Sequence, residues 1–293
     1  MSFQIMTDTS ANLPTEYLQE ENISIVAFTY LVNGKEGNCL DTRRFNGKRF
    51  YDLIRSGARV MTSQVSPQQY RDKMELFARR KEPLLYIGMS SGISGSFHCA
   101  ELAACELQEE YPEWEIQLVD TLGASLGEGL LVKRAAELRR DGLSAAEAAR
   151  LLNEQRQRIC QVFTVDDLMY LRKGGRLSNV AAVVGTMLRI KPLLKGNEDG
   201  KIVAFGKCRG RKHAIEALAD CYERLVCDPQ NQTVGIAHAD CPEDAAYLIS
   251  LLNRKFKPKD ILNVCYEPVT GSHVGPSALA LFFEAAKGVR ANT

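Results

Sequence analysis

Four loops rich in hydroxyl or glycine residues recur at the ends of strand-like runs in the first half of the chain, at 8–12, 62–67, 90–96 and 120–127. The third is the clearest. The apolar run Pro83-Leu84-Leu85-Tyr86-Ile87-Gly88-Met89 leads into Ser90-Ser91-Gly92-Ile93-Ser94-Gly95-Ser96, and Phe97, Ala100, Leu102, Ala103 and Leu107 follow at helical spacing. A buried strand, a small-residue turn and a helix in that order form half of a crossover unit. Its repetition specifies a parallel sheet flanked by helices. Loops of this kind aim backbone N–H groups and hydroxyls at one point by a helix N-terminus, a setting suited to an anion. A plain strand–helix turn with Gly and Ser as punctuation is the alternative for one loop taken alone. Four at strand ends argue for a shared polar pocket, because open α/β sheets bind ligands there.

In chain order, Phe3–Thr7 reads as a first strand, and Asp8-Thr9-Ser10-Ala11-Asn12 as a turn ahead of a helix opened by Pro14. Ile23–Val32 is β-rich and ends at Asn33-Gly34, Phe45–Ser56 has helical spacing, and Pro67 opens a helix to about Arg80. Glu115–Asp120 is a further strand. Gly127 and Gly129 lie within the next helix, where Gly costs roughly 1 kcal/mol against Ala and so points to close packing or to close backbone approach to a ligand. Asp141-Gly142 breaks that helix and Ser144 caps another.

Beyond a boundary near Arg156–Ile159 the pattern is mixed. Ile159–Val165 reads as a strand, 166–171 as a short helix, 172–176 as a basic glycine loop and Ser178–Leu188 as a helix. Lys191–Lys195 and Lys201–Gly206 read as a hairpin. Helices are expected over Arg211–Val226, Pro242–Lys255 and Gly275–Ala286, with strands at Thr233–Ala239 and Ile261–Tyr266. The expectation is therefore two α/β domains. Residues 1–157 form a parallel-sheet α/β/α domain that carries the hydroxyl loops, and 158–293 form a domain with a mixed, partly antiparallel sheet.

Composition narrows the function. The formal net charge is +1, which gives no basic field for nucleic acid, and no apolar run approaches a membrane span. The first residues lack the pattern of a secretory signal, and the nine cysteines include no C-x-x-C pair. They read as reduced structural thiols of a cytoplasmic protein with no metal site. There is no G-x-S-x-G elbow, no P-loop, no G-x-G-x-x-G after the first strand and no His-x-x-x-His. His273, in a turn expected just before a helix, is the histidine placed most like a site residue. His98, His213 and His238 are less suggestive. The run Arg209-Gly210-Arg211-Lys212 reads either as a phosphate or acidic-partner contact or as a solvated helix start.

Taken together, Asp8-Thr9-Ser10, Thr62-Ser63-Gln64, Ser90–Ser96, Val119-Asp120-Thr121, Leu171-Arg172-Lys173-Gly174-Gly175-Arg176, Lys191-Pro192 and Gly271-Ser272-His273-Val274-Gly275-Pro276 resemble, in order and spacing, the motifs of the DegV family. The resemblance spans nearly the whole chain. It implies a fatty-acid-binding protein of two α/β domains with the ligand between them, which acts as the binding subunit of a bacterial fatty acid kinase. In that role the acyl tail lies in a buried tunnel and the carboxylate is presented to a separate ATP-dependent kinase subunit that forms acyl phosphate. Carried over by motif, the resemblance puts the carboxylate at Thr62, Ser94 and His273, with Ser63, Gly95 and Ser96 as secondary candidates. It puts Arg176, and less directly Arg209, at the phosphoryl-transfer end or the kinase contact. It implies no cofactor beyond the bound fatty acid, no catalytic residue of the chain's own and at most transient membrane contact. Where the family often has Pro after Thr-Ser-Gln this chain has Val65, and Ser277-Ala278 stands where Gly-Ala is usual.

Two other readings compete with the carrier. One is a serine-dependent lipid hydrolase or acyltransferase using Ser94 and His273, against which the missing elbow counts. The other is phosphotransfer to small hydroxy-ketones, for which the sequence has no nucleotide motif.

Overall fold

The computed structural model describes residues 2–178, 190–286 and 290. Contacts divide the chain into two compact units, residues 1–45 with 60–156, and residues 46–59 with 157–293.

The first unit is built on β1 (Gln4–Asp8), α1 (Thr15–Glu20), β2 (Ile23–Val26), β3 (Thr29–Val32) and β4 (Lys35–Gly37). After α2 (Gly47–Arg55), which groups with the second unit, come β5 (Val60–Ser63), α3 (Pro67–Ala78), β6 (Leu84–Gly88), α4 (Ser96–Glu110), β7 (Ile116–Asp120), α5 (Leu126–Arg140) and α6 (Ala145–Gln155). The main sheet has the order β2-β1-β6-β7 and is parallel throughout. β6 is buried along its whole length, as its unbroken apolar sequence requires with helices on both faces. The direction of winding reverses between β1 and β6. Their carboxyl ends carry the loops that begin at Asp8 and Met89, so both loops stand at the topological switch point. Ser66 and Ser144 each close a capping box, with Gln69 and Glu147, which fixes where α3 and α6 start.

The run at 23–32 is two strands instead of one. β2 belongs to the parallel sheet, and β3 pairs antiparallel with β4 and β5 in a second, three-stranded sheet. Between them the Phe28 N–H donates to Thr9 Oγ1 at 3.1 Å, tying the chain to the turn after β1 and ending the ladder.

The second unit holds α2, β8 (Ile159–Thr164), α7 (Met169–Lys173), β9 (Ile190–Gly196), β10 (Ile202–Arg209), α8 (Arg211–Leu225), β11 (Thr233–His238), α9 (Pro242–Lys255), β12 (Asp260–Cys265), α10 (Pro268–Val274) and β13 (Leu279–Glu284). Its sheet, β10-β9-β8-β13-β11-β12, is antiparallel except for the parallel β11–β12 pair. Ile215, Leu218, Tyr222, Leu248 and Leu252 from α8 and α9 pack with Val162, Val234, Ile236, Leu281 and Phe283 of the strands. The helix expected over 178–188 lies almost wholly outside the described residues.

The helix expected over 275–286 is absent. Its residues form β13, which lies inside the sheet between β8 and β11. Leu279-Ala280-Leu281-Phe282-Phe283 is buried on both faces. A short apolar run of that kind fits a covered strand as well as a helix, and the Ala content does not separate them. The short helix comes earlier, as α10, because Pro268 occupies its first turn and buried Glu267 accepts from the N–H groups of Val269 and Thr270 at 2.6 and 2.5 Å.

α2 is held to the second unit by named bonds. Tyr51 donates from its hydroxyl to the Tyr266 carbonyl at 2.9 Å, and Arg55 pairs with Asp240. Gly271 leaves the space that the Tyr51 hydroxyl fills.

Candidate functional site

In the first unit the structure brings the Thr62-Ser63-Gln64 and Ser94-Gly95-Ser96 segments together. The Val65 N–H donates to Ser96 Oγ at 3.3 Å, and Gln64 Nε2 donates to Cys99 Sγ at 3.2 Å. A Cβ at Gly95 would lie 2.5 Å from Gln64 Oε1, so the Gln64 side chain lies close against this glycine. Thr62 and Ser63 end β5, where alternation turns the half-buried Thr62 to one face and the exposed Ser63 to the other. Ser94 is half-buried. Its Oγ accepts from the Ser96 N–H at 3.2 Å, and its N–H donates to the Ser90 carbonyl at 3.1 Å. The N-cap of α4 is Gly95, which has no side chain to cap the helix, so Ser94 Oγ takes its first N–H.

Ser96 is different from Ser94. It is fully buried, and its hydroxyl lies 2.9 Å from that of Tyr70. Tyr70 meets the Tyr86 hydroxyl at 2.6 Å, and Tyr86 donates to Asp8 Oδ2 at 3.0 Å. Gly88 leaves room for the Tyr86 hydroxyl. Asp8 also accepts from the N–H groups of Met89 and Ser10, at 3.1 and 2.8 Å, and so spans the switch point. Burial raises the pKa of Asp8 and of both tyrosines.

In the second unit the basic glycine loop and the His273 segment adjoin. His273 sits in the last turn of α10, which corrects the expectation of a turn before a helix. A Cβ on Gly174 would lie 2.5 Å from His273 Nδ1, so the loop backbone lies close against the imidazole. Arg176 donates to the Gly174 carbonyl. Burial, and then the charge of Arg176, lower the His273 pKa to about 4, so the imidazole is neutral at pH 7. A neutral ring offers one donor and one acceptor without a full counter-charge. Gly275, at φ +78, gives the turn after α10 and makes way for the Tyr170 ring.

Arg209 ends β10 on the exposed surface, and its carbonyl accepts from His213 Nδ1 at 3.0 Å. No described contact joins it to Arg176 or His273. Among the described residues there is no cluster of His, Cys, Asp and Glu arranged to hold a metal ion, and no helix long and apolar enough to cross a membrane. Sequence reasoning missed Tyr70, Tyr86 and Glu128. For the tyrosines there was no local signal. Glu128 carried one, as an acid between Gly127 and Gly129 just before the apolar run Leu130-Leu131-Val132.

The DegV model, described as an uncharacterised protein of the DegV family, matches residues 2–286. A DegV domain-containing protein of Clostridium perfringens is 37% identical over 281 residues, which cover 96% of this chain and 97% of that protein. Among solved structures, a fatty acid binding DegV family protein from Thermus thermophilus is 26% identical, with a TM-score of 0.87 over 98% of this chain and 100% of its own. A fatty acid binding DegV family protein from Streptococcus agalactiae is 29% identical, with a TM-score of 0.85 and the same coverage. The hydroxyl loops at the switch point, the glycine loop beside His273 and this likeness over nearly the full length agree, and the chain belongs to the DegV family.

Proposed function

We propose that this protein binds a long-chain fatty acid, its carboxylate accepting from Thr62, Ser94 and the neutral His273, and presents that carboxylate to a separate ATP-dependent kinase. The likeness to the two fatty acid binding proteins, over 98% of the chain in each case, carries the reading.

The chemistry of the residues supports it. A tail of about fifteen methylenes contributes roughly 12 kcal/mol gross when buried, before ordering costs reduce it. The head group then needs hydrogen bonds more than a permanent ion pair. Hydroxyls and an uncharged imidazole also leave the carboxylate nucleophilic toward a phosphoryl donor. Arg176 and Arg209 are assigned to the transfer end or the kinase contact. No step of the transfer is assigned to this chain.

Mass spectrometry of the denatured protein purified from cells tests the binding. A long-chain fatty acid in near-stoichiometric amount is expected, and its absence from every preparation would sink the reading. Ser94→Ala and Thr62→Ala are each expected to weaken binding by about tenfold, the worth of one good hydrogen bond to a charged group. Labelling of Ser94 by a serine-directed probe would favour the hydrolase reading instead.

A further inference from the structure

Glu128, in the first turn of α5, is fully buried and so is Asp8. One hydroxyl joins them. Ser10 Oγ lies 2.5 Å from Asp8 Oδ1 and is also bonded to Glu128 Oε2. Thr7 Oγ1 donates to Glu128 Oε1 at 3.0 Å. No Lys, Arg or His bonds to either carboxyl among the described residues.

A serine hydroxyl has one hydrogen and cannot donate to two carboxylates. One of the acids must therefore supply the proton for the second bond. The surroundings decide which. Leaving aside the shared Ser10 Oγ, Asp8 accepts from two backbone N–H groups and the Tyr86 hydroxyl, whereas among the described residues Glu128 accepts from Thr7 alone. Donors stabilise the ionised form where they are most numerous, and two buried like charges this close would be costly.

We propose that Glu128 holds a proton at neutral pH while Asp8 is ionised, and that this pair, bridged by Ser10, orients a chain of hydroxyls that sets the Ser94–Ser96 loop. The directions follow one from another. Tyr86 gives its hydrogen to Asp8, so it accepts from Tyr70. Tyr70 has then used its hydrogen and accepts from Ser96. Ser96 keeps its lone pairs for the Val65 N–H and has no hydrogen left for a ligand. Ser94 and Ser96, which look equivalent in the motif, thereby separate. Ser94 retains a hydroxyl hydrogen, and Ser96 is a positioning residue that ties the 62–65 segment to α4. Glu128, Ser10, Asp8, Tyr86 and Tyr70 position in turn through Ser96. This assignment of roles rests on reading the loop as the head-group site, but the place of the proton does not.

Infrared difference spectroscopy at neutral pH tests the proton directly. The parent should show the carbonyl stretch of an un-ionised carboxylic acid, shifted in D2O and missing from Glu128→Gln. Absence of the band from the parent, or its persistence in Glu128→Gln, overturns the proposal.

Paired isosteres test the wire. Gln at 128 still donates to Ser10 and accepts from Thr7, so it should restore the thermal stability and fatty acid affinity lost in Glu128→Ala. Asn at Asp8 sets an N–H group against incoming donors, and Asp8→Asn should weaken affinity by about tenfold. The opposite pattern, with Asn tolerated and Gln not, places the proton on Asp8 and refutes the assignment. If Asp8→Asn does not fold, the infrared band alone decides. If the parent binds no fatty acid, the head-group reading fails and the band still locates the proton.

Discussion

Gly174 and His273 show how much a single backbone atom can govern. Ala at 174 would put a methyl 2.5 Å from the imidazole, and the ring must give way. Gly174→Ala is expected to cost about 1–3 kcal/mol in urea unfolding and, on the proposed role of His273, to reduce fatty acid affinity. His273 also makes a pH-dependent contribution whose sign is fixed. Its pKa falls from 6.5 to about 4 on folding, so the unfolded chain binds the extra proton between those values. The contribution is intact above pH 6.5 and is lost as pH falls toward 4, by at most about 3 kcal/mol. His273→Gln should flatten that part of the stability profile, measured as the difference from the parent. Equal slopes in the two proteins would mean that the ring protonates freely in the folded state. His273 could be picked from the sequence as a candidate. Its partner Gly174 could not, because the two are joined by a fold contact across about a hundred residues.

At the scale of elements, the legible features were those with strong local chemistry. The helix opened by Pro67, the capped start at Ser144, the strand at 84–88 and the hairpin at 190–209 stand close to where their residues suggest. The failures came where tertiary burial chose between two readings of an apolar run, as in β13, or where a long-range bond ended a strand, as at Phe28. Gly129 in a helix points to close packing or to close approach to a ligand, and α5 passes tightly over the turn after β1. A Cβ there would lie 2.5 Å from the Ala11 carbonyl oxygen. Gly129→Ala should therefore destabilise by about 1–3 kcal/mol despite the helix propensity gained. A stabilised variant would show that the turn yields. Leu281, at 0% exposure in the middle of the second sheet, should cost about 2–5 kcal/mol when cut to Ala.

At the scale of the whole molecule, the α/β class with a parallel sheet first and a mixed sheet second was legible from the order of strand and helix patterns. The assignment of 46–59 to the second unit was not, because a helix carries in its own sequence no mark of which sheet it will serve. A bound fatty acid should raise the unfolding free energy by about 2.7 kcal/mol at a hundred times its dissociation constant, read as a shift in the denaturation midpoint. The chain passes between the units at 45/46, 59/60 and 156/157, and this has a consequence for synthesis. Tyr51 and Arg55 leave the ribosome long before their partners, Tyr266 and Asp240, which lie 215 and 185 residues further on. At 5–20 residues per second the apolar side of α2, with Phe50, Tyr51 and Ile54, waits roughly 10–40 s for its cover. Ribosome-stalled chains ending before Asp240 should be cut by protease within 46–59, while released full-length chains should not. In the cell that interval makes the nascent protein a client for whatever shields apolar segments during translation.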